Sequence, residues 1–560
     1  MTPAPAMAKR SAEDEPSAKR QKVESVQSKF HEGLFDDANK EAMRKSFAES
    51  KPYLHCKIDK LMNNDLLERV RKEIFDNLHF TVKETDIYKV HQTGDLANLD
   101  GLPQDELKRL SSLFELRNAL YSQEFRDYIA SVTDSGPLSG TKTDMSINSY
   151  YQGCHLLNHD DVIGTRRVSY ILYLVDPWDP KDGGALELYP VVEKGIPANE
   201  PTVIIPPQWN QFVMFTVQPG HSFHSVEEVV ANKARLSISG WFHVPQEGEP
   251  GYEEGQAVRR QDEAAQSSLQ QLQADTDSSD KFTRYTNTEV DEALTEEDIR
   301  SLSVWMNPHY LDMKILKQMA DKFYEESAVQ LKEIVKPELA EALRIATAEA
   351  DQALQKGDEM PPHGSGVGNG WKTRGPPHRC RYLVAESDAS ESSKLMRTLQ
   401  GHLESNAFRR WLAIVGGLEP QGYRGEARRF RPGHDYTLAT TNTRGQGVLD
   451  VTLCLAPATG AEEREKWDNG EVGGYECYMA PHDDEEDPAT YKAADEDGAL
   501  LTLTAGWNEL SLVLRDEGVM RFTKYVSTRA PGSRWDLAYE YDLPEEEDED
   551  EDEKKEDKAE

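Results

Sequence analysis

Four polar side chains, His159, Asp161, His224 and Arg235, stand in a stretch from Ser146 to Trp241 that is otherwise made of short apolar runs. Successive strand side chains point to opposite faces, so His159 and Asp161, at i and i+2, project into one interior. A third ligand has to come from elsewhere in the chain. His224 supplies it from the alternating run Ser222-Phe223-His224-Ser225-Val226. Two imidazoles and one carboxylate on one face leave the remaining positions of an octahedral ion open, as a non-haem iron oxygenase requires. Eleven residues after His224 comes Arg235, which shares a strand face with Ser237. A guanidinium fork beside a hydroxyl suits a carboxylate. The predicted co-substrate is 2-oxoglutarate, with its keto-acid end on the iron and its far carboxylate on Arg235.

The order of parts carries this reading: His-x-Asp, strand, Gly-rich turn, strand, His, then Arg-x-Ser. A second His-x-Asp, His482-Asp483-Asp484, lies in an acidic loop with no His and Arg pair after it. His221 follows the turn signal Pro219-Gly220 and reads as a loop histidine. His155 would join His159 only on a helix, and its surroundings read as extended chain.

These residues need a scaffold. The pattern Leu61, Leu66, Leu67, Val70, Ile74 predicts an amphipathic helix, Phe80 to Val90 a strand, and Glu106 to Ser131 two helices bracing a sheet. The strands expected next are Ile147 to Tyr151, Val168 to Val175, Ala185 to Val191, Thr202 to Ile205, Gln211 to Phe215, Ser222 to Val226 and Ala234 to Phe242. Short strands separated by such turns as Lys181-Asp182-Gly183-Gly184 point to a double-sheet jelly roll enclosing a pocket.

From Phe430 onward the roll is expected to recur. Tyr151 to His155 aligns with Phe430 to His434, Gly184 to Tyr189 with Gly473 to Tyr478, Trp209-Asn210 with Trp507-Asn508, Phe223-His224 with Phe522-Thr523, and Arg235 with Arg534. This places Leu438 and Thr440 at the His159 and Asp161 positions, so the second copy is expected to bind no catalytic metal. The fold class is then α+β, mostly β: two tandem double-stranded β-helix (jelly-roll) domains with supporting helices, the second degenerate. The expected divisions are a disordered basic arm (1–28), a catalytic roll (29–246), a linker (247–291), a non-catalytic roll (292–544) and an acidic tail (545–560). The linker is expected to be partly helical around Leu269 to Leu272, helical periodicity returns at Ile299, Leu302, Trp305 and at Ile315, Met319, Phe323, and Lys356 to Trp371 reads as a mobile loop.

The run Asn158 to Arg167, then Ser222 to Val229, then Arg235-Leu-Ser-Ile-Ser-Gly-Trp-Phe-His243 closely resembles the 2-oxoglutarate-dependent ribosomal prolyl 3-hydroxylases of fungi and animals. Thr85 to Val90 and Gln92 to Leu96 resemble the same family's N-terminal signature, and the resemblance runs from about residue 30 to residue 544. It implies hydroxylation at ring carbon 3 of a proline in the small-subunit ribosomal protein lining the decoding centre, with an effect on translation accuracy or termination. It implies iron(II), 2-oxoglutarate, dioxygen and ascorbate as cofactors, Tyr173 and Tyr150 as further 2-oxoglutarate residues, and a second roll used for docking substrate or termination factors. Two rivals stand beside it: the same chemistry on another protein, and a non-enzymatic scaffold of the termination machinery.

A formal charge of −37 argues against gripping nucleic acid, since phosphate is repelled, and favours a basic protein partner. Five scattered cysteines give no disulfide framework. With no membrane span or signal peptide evident, the chain is expected to be soluble and intracellular. Lys9-Arg10 and Lys19-Arg20-Gln21-Lys22 look like a nuclear-import signal, giving a nuclear and partly cytoplasmic expectation. The nine consecutive acids Glu545 to Glu553 repel one another and are expected to stay unfolded.

Overall fold

The computed structural model describes residues 25–94, 96, 104–254, 281–286, 293–354, 359–442, 447–480 and 499–544. Residues 1–24 of the basic arm, with its import signal, the helix expected near Leu269, His482 and the acidic tail lie outside the described residues, while the end of the expected arm is ordered as the short 3-10 helix Val26–Lys29. No described helix is long and apolar enough to cross a membrane.

The N-terminal roll is one curled antiparallel sheet. Its order is His55–Ile58, Phe212–Thr216, Arg166–Tyr173, Arg235–His243, Thr143–Tyr150, Tyr88–Gln92, His155–His159, His224–Val226, Leu186–Leu188, Val203–Ile205, with Thr81–Glu84 paired to Tyr88–Gln92. The expected strand from Phe80 to Val90 is thus a hairpin, because Thr85 to Ile87 form its turn. The expected strand from Ala185 to Val191 is likewise interrupted, since Pro190 offers no ladder N–H.

Helices cover the outer face as predicted. Asn63 caps Asn64–Asn77 by accepting from the Leu66 N–H at 3.2 Å, and Leu66, Leu67, Val70 and Ile74 are all buried. Each such side chain contributes about 1.5–3 kcal/mol by leaving water. The stretch expected to hold two helices holds three, Gln104–Arg109, Ser111–Leu120 and Gln123–Thr133. Ser122 caps the last, whose apolar face joins Phe30, Leu67 and Phe212 in a core between helices and sheet. The interior between the two layers holds the smaller core of Tyr150, Tyr173, Leu186, Leu188 and Phe215.

The C-terminal roll repeats this plan further back in sequence than Phe430. Ala328–Lys332, Trp507–Arg515, Val448–Leu455, Arg534–Asp542, Gly422–Phe430, Cys380–Ala385 and Trp371–Arg374 form the large layer, and Thr440–Thr441, Met520–Thr523, Glu476–Met479 and Ala499–Leu503 the small one. Even the connection between helix and sheet is duplicated. The side-chain amide of Asn210, at φ 63°, accepts from the Met62 N–H and donates to the Met62 carbonyl, and that of Asn508, at φ 56°, does the same to Val335. The helices Met313–Glu326 and Pro337–Gln352 belong to the repeat as well, in the places of Asp37–Glu49 and Asn64–Asn77.

Strand pairing corrects the register expected for the second copy. Arg235 faces Tyr150 and Arg534 faces Phe430, so Tyr150, rather than Tyr151, corresponds to Phe430. Arg235 Nε donates to the Gly184 carbonyl and Arg534 Nη1 to that of Gly474, which pairs Gly184 with Gly474 rather than Gly473. His224 faces His159, and the matching pair is Arg521 with Thr440. The metal-site positions of the second roll are therefore Thr440, Asn442 and Arg521, not Leu438, Thr440 and Thr523. The turn after Gly433 explains the slip, because it holds one residue more than the turn after Gly153. Val229 N–H bonds the Cys154 carbonyl, whereas Val526 N–H reaches Asp435.

The expected linker also departs from a plain connection. Glu249 accepts from the Gly140 and Thr141 N–H groups and the Ser139 hydroxyl, and Thr283–Arg284 pairs with Gly422 and Tyr423. The described part of the loop expected to be mobile carries His363, which is bonded into the contact between the rolls.

Candidate active site

His159 ends one strand of the small layer, and His224 begins its neighbour directly opposite. Asp161 lies in the turn that follows, at φ 60°, in the left-handed region that Asp tolerates better than most side chains. That turn brings the carboxylate back under both rings. The Asp161 Oδ1 atom is 3.3 Å from His159 Nε2, Oδ2 is 3.6 Å from His224 Nε2, and a set of three ligand atoms lies within 4.8 Å. Among the described residues no other group of three His, Cys, Asp or Glu side chains could hold a metal ion.

The protein also fixes which ring nitrogens face inward. His159 Nδ1 lies 2.9 Å from the Leu157 carbonyl and His224 Nδ1 2.9 Å from that of Ser222. A carbonyl only accepts, so each Nδ1 donates and each Nε2 keeps a lone pair for a metal. Asp161 Oδ2 accepts from the Ser169 hydroxyl at 2.8 Å and the Trp241 indole at 3.0 Å, leaving Oδ1 turned toward His159.

Electrostatics agree with a carboxylate held ionised. Burial alone would raise the Asp161 pKa, but the charges of His224 and His159 outweigh it and hold the group far below the usual range. Burial pulls His224 down to about 4, helped by repulsion from His159. Burial lowers His159 too, yet its bond to Asp161 leaves it above its ordinary value.

The triad opens into a cavity of about 650 Å³, whose wall includes Arg235 and Tyr150. Arg235 is 1% exposed. Its Nε donates to the Gly184 carbonyl at 2.6 Å, its Nη2 to Tyr173 Oη at 3.3 Å, and its guanidinium lies over the Tyr150 ring at 4.9 Å and the Tyr173 ring at 5.0 Å. Gly184, at φ 69°, is needed there, since a Cβ would sit 2.8 Å from the Arg235 Cδ. Ser237 is buried beside this group with its hydroxyl unpartnered. An orphaned hydroxyl next to a cation is what a bound carboxylate would satisfy. The donor set thus fits iron(II) at the triad and a diacid reaching Arg235.

All seven predicted site residues lie in this one region. The nearer competitors do not: the His155 ring packs tilted against that of Tyr525 of the second roll, centroids 4.2 Å apart, and half-buried His221 sits on its turn. Sequence reasoning missed Ser169 and Trp241. Their signal was present, since Ser169 is at i−4 from Tyr173 and Trp241 at i+6 from Arg235, on the same strand faces.

Fold and site together define a 2-oxoglutarate- and iron(II)-dependent oxygenase. The family model of the 2OG-Fe(II) oxygenase superfamily matches residues 145–243, and that of the oxoglutarate and iron-dependent oxygenase degradation C-term matches residues 297–550. The chain belongs to the OGFOD1 family of prolyl hydroxylases. It is 38% identical over 505 residues to prolyl 3,4-dihydroxylase OGFOD1 of Ostreococcus tauri, covering 88% of this chain and 95% of that protein. To prolyl 3-hydroxylase OGFOD1 of Mus musculus it is 28% identical over 571 residues, covering 88% and 89%. Among solved structures, a Pseudomonas putida prolyl-4-hydroxylase aligns at 21% identity over 36% of this chain and 98% of that one, with a TM-score of 0.26.

Proposed function

We propose that this prolyl hydroxylase acts at ring carbon 3 of a proline in the small-subunit ribosomal protein of the decoding centre, with His159, Asp161 and His224 as iron ligands and Arg235, Ser237, Tyr173 and Tyr150 holding 2-oxoglutarate. The observation that carries the residue assignment is the convergence of three ligand atoms within 4.8 Å on the wall of the cavity that Arg235 also lines. Ring carbon 3 is supported by the names of the relatives, prolyl 3-hydroxylases in Mus musculus and Xenopus laevis and a prolyl 3,4-dihydroxylase in Ostreococcus tauri. A ribosomal target is supported by charge: a chain at −37 attracts a lysine- and arginine-rich protein.

Iron with 2-oxoglutarate and dioxygen supplies oxidative hydroxylation of a C–H bond, releasing succinate and carbon dioxide. The residues of this chain do the positioning. The two Nδ1 bonds aim both imidazoles, Ser169 and Trp241 orient the carboxylate, and Arg235 with Ser237 sets how far the diacid reaches into the pocket. Tyr150 and Tyr173 hold the guanidinium flat between them. The hairpin Thr81–Gln92, through Ile87, Tyr88 and Val90, and Trp241 form the wall past which the substrate proline must come.

Ascorbate, a nuclear site directed by Lys19-Arg20-Gln21-Lys22, and contacts of the C-terminal roll with termination factors complete the proposal. The deciding experiment is mass spectrometry of the decoding-centre protein from cells with and without this gene, alongside purified enzyme acting on a panel of ribosomal peptides. Loss of one or two hydroxyls from that proline supports the reading and counts them; an unchanged proline, with another protein losing its mark, moves the same chemistry to a different substrate.

A further inference from the structure

The two rolls meet along a buried seam, and the strand carrying His224 lies on it. Neighbouring side chains on a strand point to opposite faces, so Ser225 turns away from the metal pocket toward the C-terminal roll. Its hydroxyl donates to Glu187 Oε2 at 2.7 Å, and Tyr189 Oη donates to the same oxygen at 2.8 Å. The other oxygen, Oε1, lies 2.6 Å from Nε2 of His363, which belongs to the C-terminal half. Arg381 Nη2 is 2.8 Å from His363 Nδ1. A guanidinium only donates, so Nδ1 accepts and the ring proton sits on Nε2, aimed at Glu187.

Two further anchors lie on either side. Glu228, four residues past His224 and 1% exposed, accepts from Ser527 Oγ at 2.5 Å and the Thr528 N–H at 2.7 Å. On the hairpin that walls the pocket, Asp86 Oδ2 accepts from the Ala439 N–H at 2.9 Å, and Lys524 lies 3.3 Å from Glu84. Each acid is buried or half-buried in the N-terminal roll and completed by a donor from the C-terminal one. A buried carboxylate stripped of its donor is costly, and the strand beneath it shifts to recover one.

We propose that the C-terminal roll positions the iron ligand His224 through a relay from His363 to Glu187 to Ser225, which makes Glu187 and His363 positioning residues for the metal site. The inference rests on the ligand assignment above and gives the degenerate roll a task inside the molecule, whatever it binds outside it. The test uses the full chain, titrated with Mn(II) in the presence of 2-oxoglutarate without oxygen, with bound Mn(II) read by electron paramagnetic resonance. Amide hydrogen exchange over residues 222–229 is followed in parallel without metal.

His363→Ala and Ser225→Ala are expected to raise the Mn(II) half-saturation about ten-fold and to speed exchange over that segment. His363→Gln, whose amide can still donate to Glu187, recovers most of both. Asp351→Asn serves as the control for general weakening. It alters a buried acceptor of Arg429 and Ser533 inside the C-terminal roll, and it should lower the melting temperature without changing the half-saturation. Wild-type Mn(II) binding in His363→Ala, or a loss no larger than in Asp351→Asn, overturns the relay. Should His363→Ala fail to fold, Ser225→Ala alone decides by the same measure. His224→Ala separates the two levels of the argument: if it keeps metal affinity the ligand assignment fails, and if it loses affinity while the relay variants keep it, only the relay fails.

Discussion

The two rolls hold the same charges by different means. On the proposed assignment, the cation of the N-terminal roll is a metal between His159, Asp161 and His224, and the carboxylate is a diacid at Arg235. In the C-terminal roll both have been replaced by side chains of the chain itself. Arg521, at the His224 position, puts its guanidinium 3.2 Å from Asp450 and 3.2 Å from Glu476. Arg534, at the Arg235 position, lies 2.7 Å from Glu476 and 2.9 Å from Asp536. Even the two neutral donors that hold Asp161 are matched by acids, since strand register places Asp450 at Ser169 and Glu540 at Trp241, with Arg515 bridging them at 2.8 Å each. A site waiting for ligands has become a closed ion-pair network. The difference teaches that the second roll carries its own side-chain charges where the first would hold those of its cofactors, on strands paired in the same order.

The largest effect expected is on turnover. Asp161→Ala should reduce succinate release to background while leaving thermal unfolding nearly unchanged, whereas Asn442→Ala at the matching position should leave turnover intact. Next comes stability. Arg521→Met strips a partly buried cation from Asp450 and Glu476 and should cost about 3–5 kcal/mol in denaturant unfolding. Restored stability in that variant would contradict the idea of a charge-filled site. Third, Arg235→Lys loses the fork that meets a carboxylate in two places, worth about 1.5–3 kcal/mol, so the KM for 2-oxoglutarate should rise about ten- to hundred-fold with a smaller change in kcat. Arg534→Lys should leave that KM where it was.

The smallest effect is a pH dependence read at one carboxylate of the second roll. Burial would raise the Glu476 pKa, but Arg521, Arg534 and Arg428 pull it from 4.5 to about 2. A carboxyl depressed by folding contributes stability that is present above the unfolded value and is lost as pH falls through the folded one. The C-terminal roll should therefore weaken between pH 4.5 and about 2, and Glu476→Gln should flatten that slope in hydrogen exchange resolved by roll.

Much of the first site was legible because strand periodicity acts locally. Arg235 and Ser237 share a face by spacing alone, and Ser169 and Trp241, which hold Asp161, obey the same rule, whereas Asp161 meets His159 through the left-handed turn after the strand rather than by strand alternation. The second copy was misread by two residues at its ligand positions. A single extra residue in the turn after Gly433 displaces one side of the match, and thirteen residues rather than eleven separate Arg521 from Arg534. Side-chain identity gave no warning, since Thr, Asn and Arg keep none of the ligand chemistry. The helical half of the repeat went unseen for a related reason. Its faces are fixed by burial against a sheet, which many apolar residues satisfy equally, so Asp37–Glu49 and Met313–Glu326 share a place without sharing a motif. The seam was out of reach altogether, because Glu187 and His363 stand 176 residues apart.

Trp241 has one more consequence. Its indole N–H is bonded to the carboxylate of the iron site, and its ring lies 3.5 Å beneath the Arg166 guanidinium. The chain therefore carries a fluorophore wired to the metal position, one of nine tryptophans. A paramagnetic ion entering the triad should dim its emission, so occupancy of the centre can be followed by light alone, before any substrate is added.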